Sequence, residues 1–233
     1  MRGTRQPFRS SRPPVLRQNI RAPVAENVAN DDASQPSPTA EYLRECEELS
    51  PAITSPRKLL VILDLNGTLL HRNVRGGNND FVERKHVRQF IDYLTAQHQV
   101  MVWSSARPTN VDCMCNRLFT PEQRAQLVAV WGRDHLRLTP EQYKQRVQIY
   151  KQLQWVWQDD VIGKGWSVGN TVLIDDSEEK AASEPYNLIL LDKFEGKADD
   201  DVLLDVENYL EKVRRREHAG AFMRNEPFVK RSE

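Results

Sequence analysis

The sequence is poor in cysteine, contains no long apolar run and carries no net charge. Three cysteines among 233 residues make no disulfide framework and suit a reducing compartment such as the nucleus or cytoplasm. No apolar run approaches the roughly 18 residues of a membrane-spanning helix, so we expect no transmembrane segment. The 33 basic and 33 acidic residues leave no overall charge to attract nucleic acid, and direct nucleic-acid binding is not expected.

The two ends of the chain differ in composition from its middle. Residues 1–38 are rich in Arg, Pro, Ser and Asn and have few large apolar side chains, which predicts a disordered basic tail. Residues 39–57 are predicted to form a short amphipathic helix and a linker. Residues 58–216 contain the regular apolar pattern of a folded domain, and residues 217–233 are predicted to be a flexible basic tail.

The first 25 residues carry several arginines and no acidic residue, which superficially resembles a mitochondrial targeting segment. Pro7, Pro13 and Pro14 oppose the amphipathic helix that such a segment forms. The composition therefore favours a plain basic tail and leaves a mitochondrial location as an alternative.

An apolar strand followed by an acid is the most informative local pattern. Residues 59–70 read LLVILDLNGTLL, so a buried strand leads directly into Asp64, and Asn66, Gly67 and Thr68 follow in a turn. Ligands of open α/β sheets bind at the carboxyl ends of the strands, which is where this arrangement presents the carboxylate. Asp64 is thus a candidate nucleophile for phosphoryl transfer, although Asp also caps ordinary turns.

A second strand has the same character. Residues 170–177 read NTVLIDDS, and this strand ends in Asp175 and Asp176. Carboxylates gathered at one sheet edge repel each other unless a cation joins them, and Mg²⁺ prefers such hard oxygen ligands. The two strands together therefore predict a magnesium site.

Two further side chains fit a phosphate at this edge. Ser104 lies at the end of the apolar strand VMVWSS and offers a hydroxyl, and Lys151 offers an ammonium group to phosphate oxygens. Each alone is weak evidence, because serines often end strands and most lysines are solvated. The ordered set of acid, hydroxyl, lysine and acid pair is stronger evidence for a phosphate site than any one of its members.

Strand and helix patterns alternate through residues 58–216, which predicts an α/β fold with a mostly parallel, doubly wound sheet. The predicted helices cover residues 40–50, 84–97, 111–118, 140–155 and 199–216, and the predicted strands cover 59–64, 100–105, 127–131, 170–177 and 188–191.

These motifs resemble the haloacid dehalogenase superfamily, and within it the NLI-interacting-factor-like phosphatases related to the RNA polymerase II C-terminal-domain phosphatases. The resemblance implies a three-layer Rossmann-like fold, Mg²⁺ as cofactor and an aspartyl-phosphate intermediate. It assigns Asp64 as the nucleophile, Thr68 as the closing threonine of the first motif, and Ser104 and Lys151 as phosphate-binding groups. It implies Asp64, Asp176 and the backbone carbonyl of Asn66 as metal ligands, with Asp175 behind them orienting the lysine.

Asn66 departs from the family pattern. The family has an aspartate here that protonates the leaving oxygen and later activates water, and an amide cannot give up that proton. General acid–base catalysis contributes roughly 10²- to 10⁴-fold, equivalent to about 3 to 5 kcal/mol of barrier. We therefore expect reduced turnover, with aryl phosphates as the best substrates.

The connection between Asp64 and Ser104 is too short for a large cap domain, so an open site and a phosphoprotein substrate are predicted.

The sequence leaves one alternative function open. The resembling family also includes a receptor subunit of the mitochondrial presequence translocase, so the fold can serve as a catalytically inactive protein-binding module whose partner is the import machinery. Asn66 favours that alternative, and the retained Asp64, Lys151 and aspartate pair favour the enzyme.

Overall fold

The computed structural model describes residues 35–72, 80–197 and 201–231. The predicted disordered tail therefore lies almost entirely outside the described residues. None of the helices in the described ranges is long and apolar enough to cross a membrane.

The strands are β1 (Leu60–Leu63), β2 (Leu70–Arg72), β3 (Phe81–Glu83), β4 (Gln99–Trp103), β5 (Val130–Trp131), β6 (Thr171–Asp175) and β7 (Leu188–Leu190). The helices are α1 (Ala40–Glu47), α2 (Val87–Gln97), α3 (Pro108–Leu118), α4 (Pro121–Ala125), α5 (Pro140–Lys144), α6 (Leu153–Trp157), α7 (Val202–Val213) and α8 (Ala219–Asn225).

Five strands form one parallel sheet in the order β5-β4-β1-β6-β7, with β1 at its centre. Leu63 pairs with Val102 of β4 on one side and with Ile174 of β6 on the other. The chain thus builds the sheet outward on one side of β1 before it crosses to the other side. The predicted α/β fold with a mostly parallel sheet is confirmed.

Both faces of the sheet are covered, because alternate residues of each strand point to opposite faces. Val61 and Leu63 of β1 belong to a core with α2, α3, α7 and α8, whereas Leu60 and Ile62 belong to a second core with α6 and the irregular segment before it. The continuous apolar run of β1 is explained by this burial on both faces.

A small antiparallel hairpin takes the place of a cap domain after β1. It pairs β2 with β3, and Leu70 lies opposite Glu83. Only residues 73–80 separate the two strands, and of these 73–79 lie outside the described residues. This is consistent with the expectation of an uncapped site.

The predicted helix over residues 140–155 is wrong. The structure has the two short helices α5 and α6, separated by an extended segment. The guanidinium of Arg133 donates to the carbonyl oxygens of Tyr143 at 3.0 Å and of Gln145 at 2.7 Å, which satisfies the last turn of α5 and ends it. The chain then runs extended and buries Ile149 in the second core.

The prediction of a flexible tail from residue 217 is also wrong, because α8 is part of the folded domain. Phe222 and Met223 are buried in the first core. Gly220 lies so close to α1 that a Cβ there would be 3.0 Å from Cys46 Sγ. The sequence pattern did not predict α8, because this helix is short and is flanked by charged residues.

Candidate active site

The carboxyl ends of β1 and β6 bring the predicted aspartates together. Asp64 directly follows β1, and its backbone N–H donates to the carbonyl oxygen of Ile174 at 3.0 Å, so it lies beside the end of β6. One carboxylate oxygen each of Asp64, Asp175 and Asp176 lies within 4.8 Å of the other two. Asp64 and Asp175 are almost completely buried, whereas Asp176 is partly exposed.

Lys151 reaches this cluster from the extended segment before α6. Its Nζ donates to Asp64 Oδ1 at 2.8 Å and to Asp175 Oδ2 at 2.5 Å, and its side chain is completely buried. Its backbone N–H donates to the carbonyl oxygen of Lys180 at 2.7 Å, which fixes the segment beside the residues that follow β6. The end of α5 thus matters to the site, because a continuous helix would not deliver Lys151 in this way.

A second lysine, which the sequence analysis missed, completes the cluster. Lys180 lies on the short 3₁₀ helix Glu178–Ala181 and donates to Asp175 Oδ1 at 2.7 Å and to Asp176 Oδ1 at 3.1 Å. It lies four residues after Asp176, so the short helical turn that follows the strand brings it back to this carboxylate. The resemblance implied a single lysine, Lys151.

The charges of the cluster shift the pKa values of its members. Burial alone raises the pKa of Asp175, but the ammonium groups of Lys151 and Lys180 outweigh it and hold the pKa below its ordinary value. For Asp176 burial prevails: together with the negative charges of Asp64 and Asp175, it raises the pKa despite the opposing charge of Lys180. Burial disfavours the charged form of Lys180, yet the three carboxylates raise its pKa.

The turn after β1 is built to accept Asp176. Gly67 has φ of +94°, and a Cβ there would lie 2.9 Å from Asp176 Cγ and closer still to Oδ2. Only glycine combines this backbone conformation with such a close approach. Arg84, another residue that the sequence analysis missed, is buried behind the turn and donates to the carbonyl oxygens of Thr68 at 3.0 Å and Asp192 at 3.1 Å.

The other predicted residues differ in how closely they join the cluster. Thr68 Oγ1 donates to Asp64 Oδ2 over a long 3.4 Å. Ser104 is buried at the end of β4, next to β1, where its Oγ accepts from the N–H of Ala106 at 3.3 Å. Asn66 is exposed, and its Oδ1 accepts from the backbone N–H of Arg72 at 2.9 Å, so its amide binds the hairpin.

The cluster has the chemistry of a site for a hard divalent cation. Three carboxylates converge within the reach of one ion, and oxygen ligands of this kind suit Mg²⁺. Asp175 is the least available of the three, because Lys180 binds one of its oxygens and Lys151 the other. Asp64 and Asp176 are therefore the carboxylates best placed to hold a cation.

Comparison with known proteins identifies a relative that matches most of this chain. An uncharacterised FCP1 homology domain-containing protein of Schizosaccharomyces pombe is 38% identical over 185 residues, which cover 74% of this chain and 75% of the relative.

Two solved structures of the RNA polymerase II CTD phosphatase Fcp1 also match, each at 13% identity. The fission yeast enzyme bound to beryllium fluoride has a TM-score of 0.42 over 73% of this chain, and the second structure has a TM-score of 0.44 over 83%. This chain spans 51% and 56% of those two chains.

The model of the NLI interacting factor-like phosphatase family matches residues 59–220, from the start of the sheet to the start of α8. The match includes the strands that carry the aspartates and the segments that carry both lysines. The chain belongs to the NLI interacting factor-like phosphatase family.

Proposed function

We propose that this protein is a Mg²⁺-dependent phosphoprotein phosphatase that acts on phosphoserine and phosphothreonine through an aspartyl-phosphate intermediate, with turnover reduced by Asn66. One observation carries the proposal: a buried carboxylate, Asp64, paired with a buried lysine, Lys151, beside the aspartates that follow a neighbouring strand. Burying such charges is costly. The membership in a phosphatase family supports a catalytic use for them.

In the first step the Asp64 carboxylate attacks phosphorus, an O–P bond forms, and the bond from phosphorus to the serine or threonine oxygen breaks. The leaving oxygen takes its proton from water and leaves hydroxide, because the Asn66 amide is not acidic enough to supply one. In the second step a water oxygen bonds to phosphorus, the Asp64–phosphorus bond breaks, that hydroxide takes up the proton of the attacking water, and inorganic phosphate leaves. The carboxylate of Asp64 is restored.

The surrounding groups stabilise the charge on the transferring phosphoryl group. Lys151 and Ser104 donate to its oxygens, and Thr68 holds the second oxygen of Asp64. Mg²⁺, when held by Asp64, Asp176 and the backbone carbonyl of Asn66, supplies further positive charge to the phosphoryl oxygens. Asp175 keeps Lys151 in place through its 2.5 Å bond.

The substrate is proposed to be a phosphorylated protein segment. The hairpin of β2 and β3 occupies the position of a cap, and Asn66 at its base is exposed. A bulky chain can reach such a site, whereas a small metabolite gains little from an open one.

Hydrolysis of p-nitrophenyl phosphate and of a phosphoserine peptide, with Mg²⁺ and with EDTA, tests the proposal. We expect slow Mg²⁺-dependent hydrolysis by the wild type, with the aryl phosphate strongly preferred, and none by Asp64→Asn. Asn66→Asp should raise kcat at least tenfold, toward the roughly 10²- to 10⁴-fold of general acid catalysis, and should narrow the preference for the aryl phosphate. An aspartate can accept the same bond from Arg72, so the variant is expected to fold.

A protein-binding module without catalysis, such as an import subunit of mitochondria, is the second candidate. It is favoured by the Asn66 amide, which binds the backbone of Arg72 in the hairpin. If neither the wild type nor Asn66→Asp hydrolyses the aryl phosphate, the phosphatase proposal fails and this candidate takes its place.

A further inference from the structure

Lys180 holds the same aspartate that is proposed to hold the metal. Its Nζ lies 3.1 Å from Asp176 Oδ1 and 2.7 Å from Asp175 Oδ1, and only 14% of its side chain is exposed. Lys151, by contrast, is bonded to Asp64 and Asp175. The two lysines are therefore not equivalent, and Lys180 is the one bonded to Asp176.

Asp176 has little freedom to turn away from Lys180. Its Oδ2 lies against Gly67, where even a Cβ would not fit, and its Oδ1 accepts from Lys180. A cation that uses Asp176 must share this carboxylate with the ammonium group or displace it. Both alternatives weaken metal binding, because like charges a few ångströms apart repel strongly where water is excluded.

The charge of the cluster leads to the same conclusion. Three carboxylates against two ammonium groups leave one net negative charge, so a bound divalent cation would make the cluster positive. A phosphate dianion bound together with the cation would return the cluster to one net negative charge. Without Lys180 the cluster would carry two negative charges, which one divalent cation neutralises.

We propose that Lys180 lowers the affinity of the site for Mg²⁺ by competing for Asp176, so that Mg²⁺ binds tightly only together with a phosphate dianion. This inference rests on the metal site of the proposed function. It assigns Lys180 a positioning role toward Asp176 and makes metal and substrate binding interdependent.

Isothermal titration of the full chain with Mg²⁺, with and without inorganic phosphate, tests this role. Lys180→Gln removes the charge but keeps a hydrogen-bonding group, and Lys180→Arg keeps the charge. We expect Lys180→Gln to bind Mg²⁺ at least tenfold more tightly than the wild type, and Lys180→Arg to stay within about threefold of it. Inorganic phosphate should increase the Mg²⁺ affinity of the wild type by a larger factor than that of Lys180→Gln.

The exposed Lys164 offers a matched control, because Lys164→Gln removes one charge away from the cluster and should leave Mg²⁺ affinity unchanged. Asp176→Asn should abolish the tight Mg²⁺ binding of Lys180→Gln, and that of the wild type in the presence of phosphate. Thermal unfolding of each variant confirms that it is folded. Unchanged or weaker Mg²⁺ binding by folded Lys180→Gln overturns the proposal, as does an equal effect of phosphate on the wild type and Lys180→Gln.

Failure of the proposed function would look different. Mg²⁺ binding that tightens in Lys180→Gln without hydrolysis by any variant would support the role of Lys180 and reject the phosphatase. Hydrolysis by the wild type with no change of Mg²⁺ affinity in Lys180→Gln would support the phosphatase and reject the role of Lys180.

Discussion

The two ends of the parallel sheet bury polar groups in opposite ways. At the carboxyl end, the side chains of Asp64 and Asp175 are buried together with that of Lys151, which donates to both. At the amino end, His98 is equally buried, and burial keeps it neutral. The same sheet thus contains a buried ion cluster at one end and a buried neutral histidine at the other.

The neutral histidine belongs to a chain of hydrogen bonds. His98 Nδ1 accepts from the backbone N–H of Leu59 at 3.3 Å, so Nε2 carries the proton and donates to Tyr93 Oη at 3.1 Å. Tyr93 in turn donates to Glu211 Oε1 at 2.9 Å. Burial, assisted by the charge of Arg214, lowers the pKa of His98 to about 4.

The difference shows what each end is for. The hydrogen bonds of a neutral histidine satisfy buried polar groups at little cost and join the amino ends of β1 and β4. A charged cluster is expensive to bury, and it is justified where it must act on a charged ligand. Each of the following predictions tests one end against the other.

Lys151→Met should have the largest effect on stability. It leaves Asp64 and Asp175 buried without a common partner, and breaking a buried ion pair costs about 3–5 kcal/mol. Urea unfolding measures this cost, and Lys164→Met is the exposed control, for which we expect a change below about 0.5 kcal/mol. A loss of less than about 1 kcal/mol in Lys151→Met would show that the charges are not coupled as the contacts indicate.

Acid should destabilise the two ends in different pH ranges. Below pH 6.5 the unfolded chain protonates His98 and the folded chain does not, so stability falls until about pH 4. The total loss from this group is at most about 3 kcal/mol. Asp175, whose pKa is held below its ordinary 3.8, contributes stability that is lost only below that pH.

Chemical denaturation at a series of pH values separates the two ranges. In His98→Asn the free energy of unfolding should fall less steeply between pH 6.5 and 4 than in the wild type. Its steep fall below pH 3.8 should remain. An unchanged slope between pH 6.5 and 4 in the variant would contradict a neutral His98.

Gly67→Ala should impair the charged end through its backbone. The left-handed conformation alone costs about 1–2 kcal/mol for alanine, and the added Cβ displaces the Asp176 carboxylate. Gly165→Ala is a matched control, since Gly165 has φ of +86° with nothing within 4 Å of its Cβ position. We expect similar backbone strain in both variants but loss of phosphatase activity only in Gly67→Ala, and equal activities would argue against a role for Asp176.

Tyr93→Phe should have the smallest effect. It removes the hydroxyl of Tyr93 and leaves the Nε2–H of His98 without its acceptor, which lowers the free energy of unfolding by about 1 kcal/mol. The midpoint of urea unfolding at pH 7 measures it. A loss as large as that of Lys151→Met would remove the contrast between the two ends.

The sequence predicted the charged end far better than the neutral one. Asp64 and Asp175 could be placed because apolar strands lead into acids, and parallel strands release those acids at one edge. His98 offered no such signal, because its partners are the backbone amide of Leu59 and the hydroxyl of Tyr93, which is itself bonded to Glu211 on the distant helix α7. Contacts of this kind depend on packing, which local patterns do not encode.

The same limit explains the wrong prediction of one helix over residues 140–155. Periodicity over residues 140–155 favoured one helix, but the helix ends where Arg133, from another part of the chain, takes the carbonyl oxygens of its last turn. Lys180 was missed for a different reason, since its spacing from Asp176 was visible in the sequence and only the significance of a second lysine was not.

The packing of α1 against α8 has a consequence for how the chain matures on the ribosome. Tyr42 of α1 accepts from the backbone N–H of Tyr186, and Cys46 meets Gly220 of α8. The partners of α1 are therefore synthesised well over a hundred residues after it, so α1 emerges early and cannot complete its packing until α8 is available. Until then the apolar face of α1 stays accessible to chaperones, and the arrival of α8 is the step that closes this part of the domain.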